Sequence, residues 1–166
     1  MSAFTITPAT AADMPRVRTL AYAIWPEAYA GVIDADLIPP MLAEIYDLAT
    51  LEADITERSH TYWMATGTDG TDLGFASAYA ADGRVWIKKL YVLDAARGLG
   101  LGKALIATAR AYFGTALSAA LYVNSGNKPA ISFYERQGFT IEAAVPVRMG
   151  PFDFTDYVMV SAAPAR

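Results

Sequence analysis

Apolar residues recur along the chain with two periods, and each change of period marks an element boundary. Phe4-Thr5-Ile6 alternates and predicts a short first strand. Thr10 and Asp13 then stand at the spacing of a helix-starting cap, and Met14, Val17, Leu20, Ala21 and Ile24 follow at three- and four-residue steps until Pro26. A second helical run begins near Asp36, with Ile38, Met41, Leu42, Ile45, Tyr46 and Ala49 on one face and Pro39-Pro40 in its first turn. The period then shortens. Residues 60–66 and 73–80 read as strands on either side of the turn Thr68-Asp69-Gly70, and Asp82-Gly83 makes a hairpin turn into a strand from Arg84. A strand over 85–93, a helix over 104–113, a strand over 120–124, a helix after Asn127 and a final hairpin complete the pattern, while residues 117–120 show no clear period. This order predicts one α/β domain: a mixed sheet, antiparallel at first, with one helical crossover to a parallel neighbour and helices on both faces.

The crossover opens on Arg97-Gly98-Leu99-Gly100-Leu101-Gly102-Lys103. Three alternating glycines let main chain approach a ligand closely. The helix that follows adds unpaired N–H groups and the positive end of its dipole, so the segment suits a diphosphate. Two other phosphate loops do not fit. The triphosphate loop would need glycine where Arg97 stands and a hydroxyl where Ala104 stands. A dinucleotide fingerprint starting at Gly98 would need its last glycine at Lys103.

Arg97, Gly100 and Gly102 match instead the R/Q-x-x-G-x-G/A loop, and the segment resembles that of the GCN5-related N-acetyltransferase (GNAT) superfamily. A second element supports the resemblance: Asn127, Ala130, Phe133, Tyr134, Gly138 and Phe139 match N-x-x-A-x-x-F-Y-x-x-x-G-F at every fixed position. The same stretch reads as an amphipathic helix, capped by Asn127, with Pro129 in its first turn and Gly138 at its end. Arg148-Met149-Gly150 and Asp156-Tyr157-Val158-Met159 are similar to the closing hairpin of bacterial polyamine-type (spermine/spermidine) acetyltransferases. The resemblance covers residues 72–162 well and the first third only in layout.

The resemblance implies a single N-acetyltransferase domain over 1–166, with acetyl-coenzyme A as co-substrate and no metal. The diphosphate would rest on Arg97, Gly98, Leu99, Gly100, Leu101, Gly102 and Lys103, and the pantetheine arm against the main chain of Leu90, Tyr91 and Val92, with Asn127 and Ala130 nearby. An N–H near Tyr91 or Val92 would face the thioester carbonyl. Tyr134 is the candidate catalytic residue, a phenol that can protonate the departing thiolate. Many relatives carry a glutamate base on the central strand, where this chain has Lys88 and Lys89. Glu27, Asp34 and Asp36 are candidates to hold a cationic acceptor, and Trp25 and Tyr29 to wall its pocket. A polyamine or other small primary amine is the leading acceptor. A peptide N-terminus, an aminoglycoside, and a coenzyme A-binding sensor without turnover remain open.

Composition narrows the setting. A chain of 166 residues suits one domain, and its 54% hydrophobic content leaves room for an apolar surface such as a homodimer face. There is no cysteine, hence neither disulfide nor thiol nucleophile, and His60 alone gives no His/Cys metal cluster. No apolar run is long enough to span a bilayer, and the start lacks a basic-then-apolar leader, so the expected location is cytoplasmic. A net charge of −4 argues against nucleic acid as a partner and leans toward a cationic substrate.

Overall fold

The computed structural model describes residues 3–149 and 152–163. Seven strands form one sheet: β1 (Phe4–Ala9), β2 (Thr61–Gly67), β3 (Asp72–Ala81), β4 (Arg84–Val92), β5 (Ser118–Asn124), β6 (Thr140–Met149) and β7 (Phe152–Ser161). Their order is β1-β2-β3-β4-β5-β7-β6, with the β4–β5 pair parallel and every other pair antiparallel. Helices α1 (Met14–Ala28), α2 (Ile38–Ile45) and α3 (Leu48–Thr56) cover one face of the first strands. Helices α4 (Leu101–Phe113) and α5 (Lys128–Arg136) cover the other. Strand alternation divides the core between these layers. Tyr62, Met64 and Phe75 pack under α1–α3, whereas Trp63, Ala65, Ala76 and Val85 pack under α4. The mixed α/β fold expected from the periods is the one observed.

Three local expectations are corrected. The second helical run is two helices, because Asp47 interrupts it and caps α3 by accepting from Thr50 N–H at 3.3 Å. Pro26 does not end α1, which runs to Ala28. Its ring costs one hydrogen bond to the Tyr22 carbonyl, and both residues lie on the exposed side, where solvent can reach that carbonyl. The glycine-loop helix starts at Leu101 rather than Ala104, with Gly100 as a left-handed N-cap at φ 76°. The Thr10/Asp13 capping box is present, on a short 3₁₀ turn that leads into α1. The Asp82-Gly83 turn has φ of 55° and 73°, as a tight hairpin of this hand requires. Gly150 of the hairpin motif lies outside the described residues.

The most consequential irregularity is in β4. Ser77 pairs with Lys89 and Ala78 with Ile87, so Lys88 is one residue more than β3 can match, a β-bulge. Pairing with β5 runs from Arg84↔Ser118 to Ile87↔Leu121 and stops there. Beyond the bulge the two parallel strands separate.

Candidate active site

The separation of β4 and β5 opens into a cleft of about 1760 Å³. One end is the glycine loop. Gly98 and Gly100 hold φ of 87° and 76°, a conformation that costs a side-chain-bearing residue about 1–2 kcal/mol. Nothing lies within 4 Å of a Cβ built at either, so this stretch of backbone faces open space. Gly102 serves a different purpose: a Cβ there would come within 2.9 Å of Phe133 Cζ, so the glycine lets α4 and α5 approach. Ala104 N–H reaches the Gly100 carbonyl at 3.0 Å. The amides ahead of it remain free to meet an anion at the helix start. Arg97, Lys103 and Arg136 line this end of the cleft, giving it a positive field. A diphosphate fits this cradle in backbone conformation, open space and charge. Leu99 is 44% exposed and does not line the cleft.

At the middle of the cleft, Leu90, Tyr91 and Val92 line the β4 side of the gap, with β3 paired along their other edge. Tyr91 and Tyr29 share a hydrogen bond between hydroxyls at 2.9 Å, and burial pushes both phenols up from the ordinary tyrosine value. Trp25 packs 4.7 Å from the Tyr29 ring and 5.8 Å from that of Tyr91. Tyr134 projects from α5 into the same region, its ring held edge-on by Phe133 and Phe139 at 5.3 and 5.8 Å. Burial raises its pKa, so the phenol keeps its proton through the physiological range. Asn127 caps α5 by accepting from Ala130 N–H at 3.3 Å, and both residues line the cleft.

The acidic candidates divide. Glu27 lines the cleft, whereas Asp34 and Asp36 do not. Asp34 accepts from the Asp36 amide at 3.0 Å to cap a 3₁₀ turn, and both are exposed, which corrects their expected place at the acceptor. Two other groups in the cleft were not anticipated. Asp156 of β7 lies opposite Asn124 of β5, half-buried, with its carboxyl pKa raised by burial and partly restored by Lys88. The hairpin motif contained this residue, but only the sheet order brings it to the gap.

The second is a buried ionic cluster. Asp54 accepts from Tyr62 Oη at 2.6 Å and from Arg58 Nη1 at 2.9 Å, and Lys89 Nζ sits 3.4 Å from Asp54 Oδ2. The Lys89 and Asp54 side chains are only 7% and 8% exposed, and Lys89 also lies 5.7 and 5.6 Å from the Tyr46 and Tyr62 rings. Burial lowers the Lys89 pKa against the attraction of Asp54. Thus the central-strand lysine is neutralised internally, and only its neighbour Lys88 presents an ammonium to solvent.

Parallel strands parting beside a glycine loop and a helix start, with a phenol over the gap, define an acyl-coenzyme A N-acyltransferase fold. The chain belongs to the acetyltransferase (GNAT) family, whose model matches residues 18–139, and it is an acetyl-coenzyme A-dependent N-acetyltransferase. PaiA N-acetyltransferase of Thermoplasma acidophilum, solved with coenzyme A, is similar at TM-score 0.81 and 23% identity over 98% of this chain and 99% of that one. A GCN5-related N-acetyltransferase of Rhodopseudomonas palustris gives 0.80 and 20% over 98% and 97%. The ribosomal-protein-S18-alanine N-acetyltransferase of Escherichia coli gives 0.72 and 16% over 98% and 96%. At these identities the likeness concerns the fold. No curated protein matches the chain.

Proposed function

We propose that the enzyme acetylates a primary amine on a small cationic molecule of the polyamine type, by direct attack on the thioester. One observation carries this reading: the cleft is electrically asymmetric. Arg97, Lys103 and Arg136 line the cleft toward the loop, where a diphosphate would sit, with Arg97 also paired to exposed Asp94 at 3.1 Å. Glu27, Glu44 and Asp156 line the remainder, and among the described residues none of the three is held in an ion pair. Asp54 faces both Lys89 and Arg58, so with Lys88 this part of the cleft carries four carboxylates against three cations, an excess of one negative charge. A field of this sign concentrates a polyvalent cation.

When bound, acetyl-coenzyme A supplies an activated acyl carbon and a thiolate leaving group. Backbone amides of residues 98–103 hold the diphosphate, and main chain of residues 90–92 lines the gap where the pantetheine arm passes. The half-buried Tyr134 phenol is poised to donate a proton to the sulfur. The aromatic wall of Trp25, Tyr29 and Tyr91 excludes water from one side of the reacting centre.

Turnover measured with spermidine, a monoamine of similar length, an alanine-terminated peptide and an aminoglycoside tests the assignment. Spermidine should show the highest kcat/KM, with an acetylated product by mass spectrometry. A peptide or monoamine ahead of spermidine would overturn the polyamine reading, and coenzyme binding without turnover on any amine would overturn the enzymatic one.

A further inference from the structure

The acetyl-transfer step needs a group to take a proton from the acceptor nitrogen, because an alkylammonium with a pKa near 10.4 costs about 4.6 kcal/mol to neutralise at pH 7. The strand position that supplies a carboxylate in many relatives holds Lys88 and Lys89 here. Of the carboxylates lining the cleft, Asp54 is committed to Tyr62, Arg58 and Lys89. Glu27 and Glu44 stand on exposed turns of α1 and α2. Asp156 alone combines partial burial, no ion pair among the described residues, and a place at the gap. Its strand position pairs with Asn124, three residues beyond the last β4–β5 rung at Leu121.

Resting on the polyamine-type reading above, we infer that Asp156 is the general base for the acceptor amine, acting directly or across one water. β4 contributes the Lys88 ammonium, and the residue after α1 contributes the Tyr29 phenol, which is itself hydrogen-bonded to Tyr91. β5 and β6 offer Asn124 and Val145 as register partners, neither of which titrates. Asp153 on the same strand is exposed and lies 3.9 Å from Arg148. Partial burial disfavours the ionised carboxyl, which makes Asp156 a stronger proton acceptor than a carboxylate in open water.

The proton balance closes on these residues. One ammonium N–H bond breaks and its proton moves to Asp156. The freed nitrogen pair forms the C–N bond to the acetyl carbon as the C–S bond breaks. Tyr134 Oη gives its proton to the departing sulfur, and the second proton lost by nitrogen restores the phenol. Asp156 then releases its proton to solvent, so each turnover liberates one proton.

Asp156→Asn keeps size and hydrogen-bonding capacity but cannot accept the proton. With spermidine as the probe, kcat should fall by roughly 10²-fold or more, the scale of a positioned general base. The acid limb of the wild-type kcat–pH profile, set by a carboxyl above the ordinary 3.8, should disappear. Asp156→Glu should restore part of both, and calorimetric acetyl-coenzyme A affinity should match wild type in each variant. Wild-type kcat and an intact acid limb in Asp156→Asn would overturn the assignment while leaving the acetyltransferase reading intact. So would a change confined to KM, which would make Asp156 an anchor for the cation. A wild-type enzyme that turns over no amine would instead remove the acceptor reading on which the assignment rests.

Discussion

Replacing Asp54 with asparagine isolates the charge of the buried cluster, because the amide oxygen can still accept from Tyr62 Oη. Arg58 is half exposed and swings to water, but the Lys89 side chain is 7% exposed and has nowhere to go. The lost attraction at 3.4 Å amounts to about 5 kcal/mol at an effective dielectric near 20. Removing the carboxylate also relieves its own burial cost, which returns about 2 kcal/mol. The net loss is about 3 kcal/mol, within the range for breaking a buried pair from one side. Proton release sets a ceiling. An amine whose ordinary pKa is 10.5 can be neutralised for about 5 kcal/mol at pH 7, but for only about 1.4 at pH 9.5. Lys89 has a lower pKa folded than unfolded, so between the two values the unfolded chain binds more protons and stability rises with pH up to 10.5. The rise should be steeper in the variant. Urea unfolding should therefore show Asp54→Asn about 3 kcal/mol less stable than wild type at pH 7 and within about 1.5 at pH 9.5. An equal deficit at both pH values would refute the account, since it would mean that packing rather than charge was lost.

Gly100→Val should weaken acetyl-coenzyme A binding at least tenfold by calorimetry. A β-branched residue at φ 76° is strained by about 1–3 kcal/mol even though no atom blocks its Cβ, and unchanged affinity would remove the loop from the site. Tyr134→Phe should lower kcat by roughly 10²-fold at unaltered coenzyme affinity. Full kcat, with chemistry shown to be rate-limiting, would make Tyr134 structural. Glu27→Gln should raise KM for spermidine more than for a monoamine, and the difference should shrink with added salt because Glu27 is exposed; equal changes would remove it from the acceptor site.

Local signals were read well because their causes are local. The glycine loop, the Asn127 cap, the Asp82-Gly83 hairpin and the left-handed Gly138 each depend on a few consecutive residues. The α2–α3 break was missed because apolar spacing runs across it, and Asp47 reads equally as a surface charge or a cap. The candidate site was legible where main chain lines the cleft. It was not legible where distant strands meet: Asp156 lies 32 residues beyond Asn124 in sequence, and only the insertion of β7 beside β5 brings them opposite. Asp54 and Lys89 are joined in the same way across 35 residues. A signal for the bulge was present. Val85 and Ile87 pack toward α4 and α5 at odd positions, Leu90 and Val92 at even ones, and a strand can change parity only by carrying one residue too many.

That supernumerary residue separates two kinds of information written in one strand. If Lys88 were excised, Ile87, Lys89, Leu90, Tyr91 and Val92 would follow in strict alternation, each still facing the layer it faces now. The core would be indifferent to the deletion; the bend that ends pairing at Ile87 would not. Packing and aperture are thus inherited separately. A lineage can close or open such a sheet by a single codon's indel without renegotiating its interior, and a shortened β4 should yield a sound fold with no doorway.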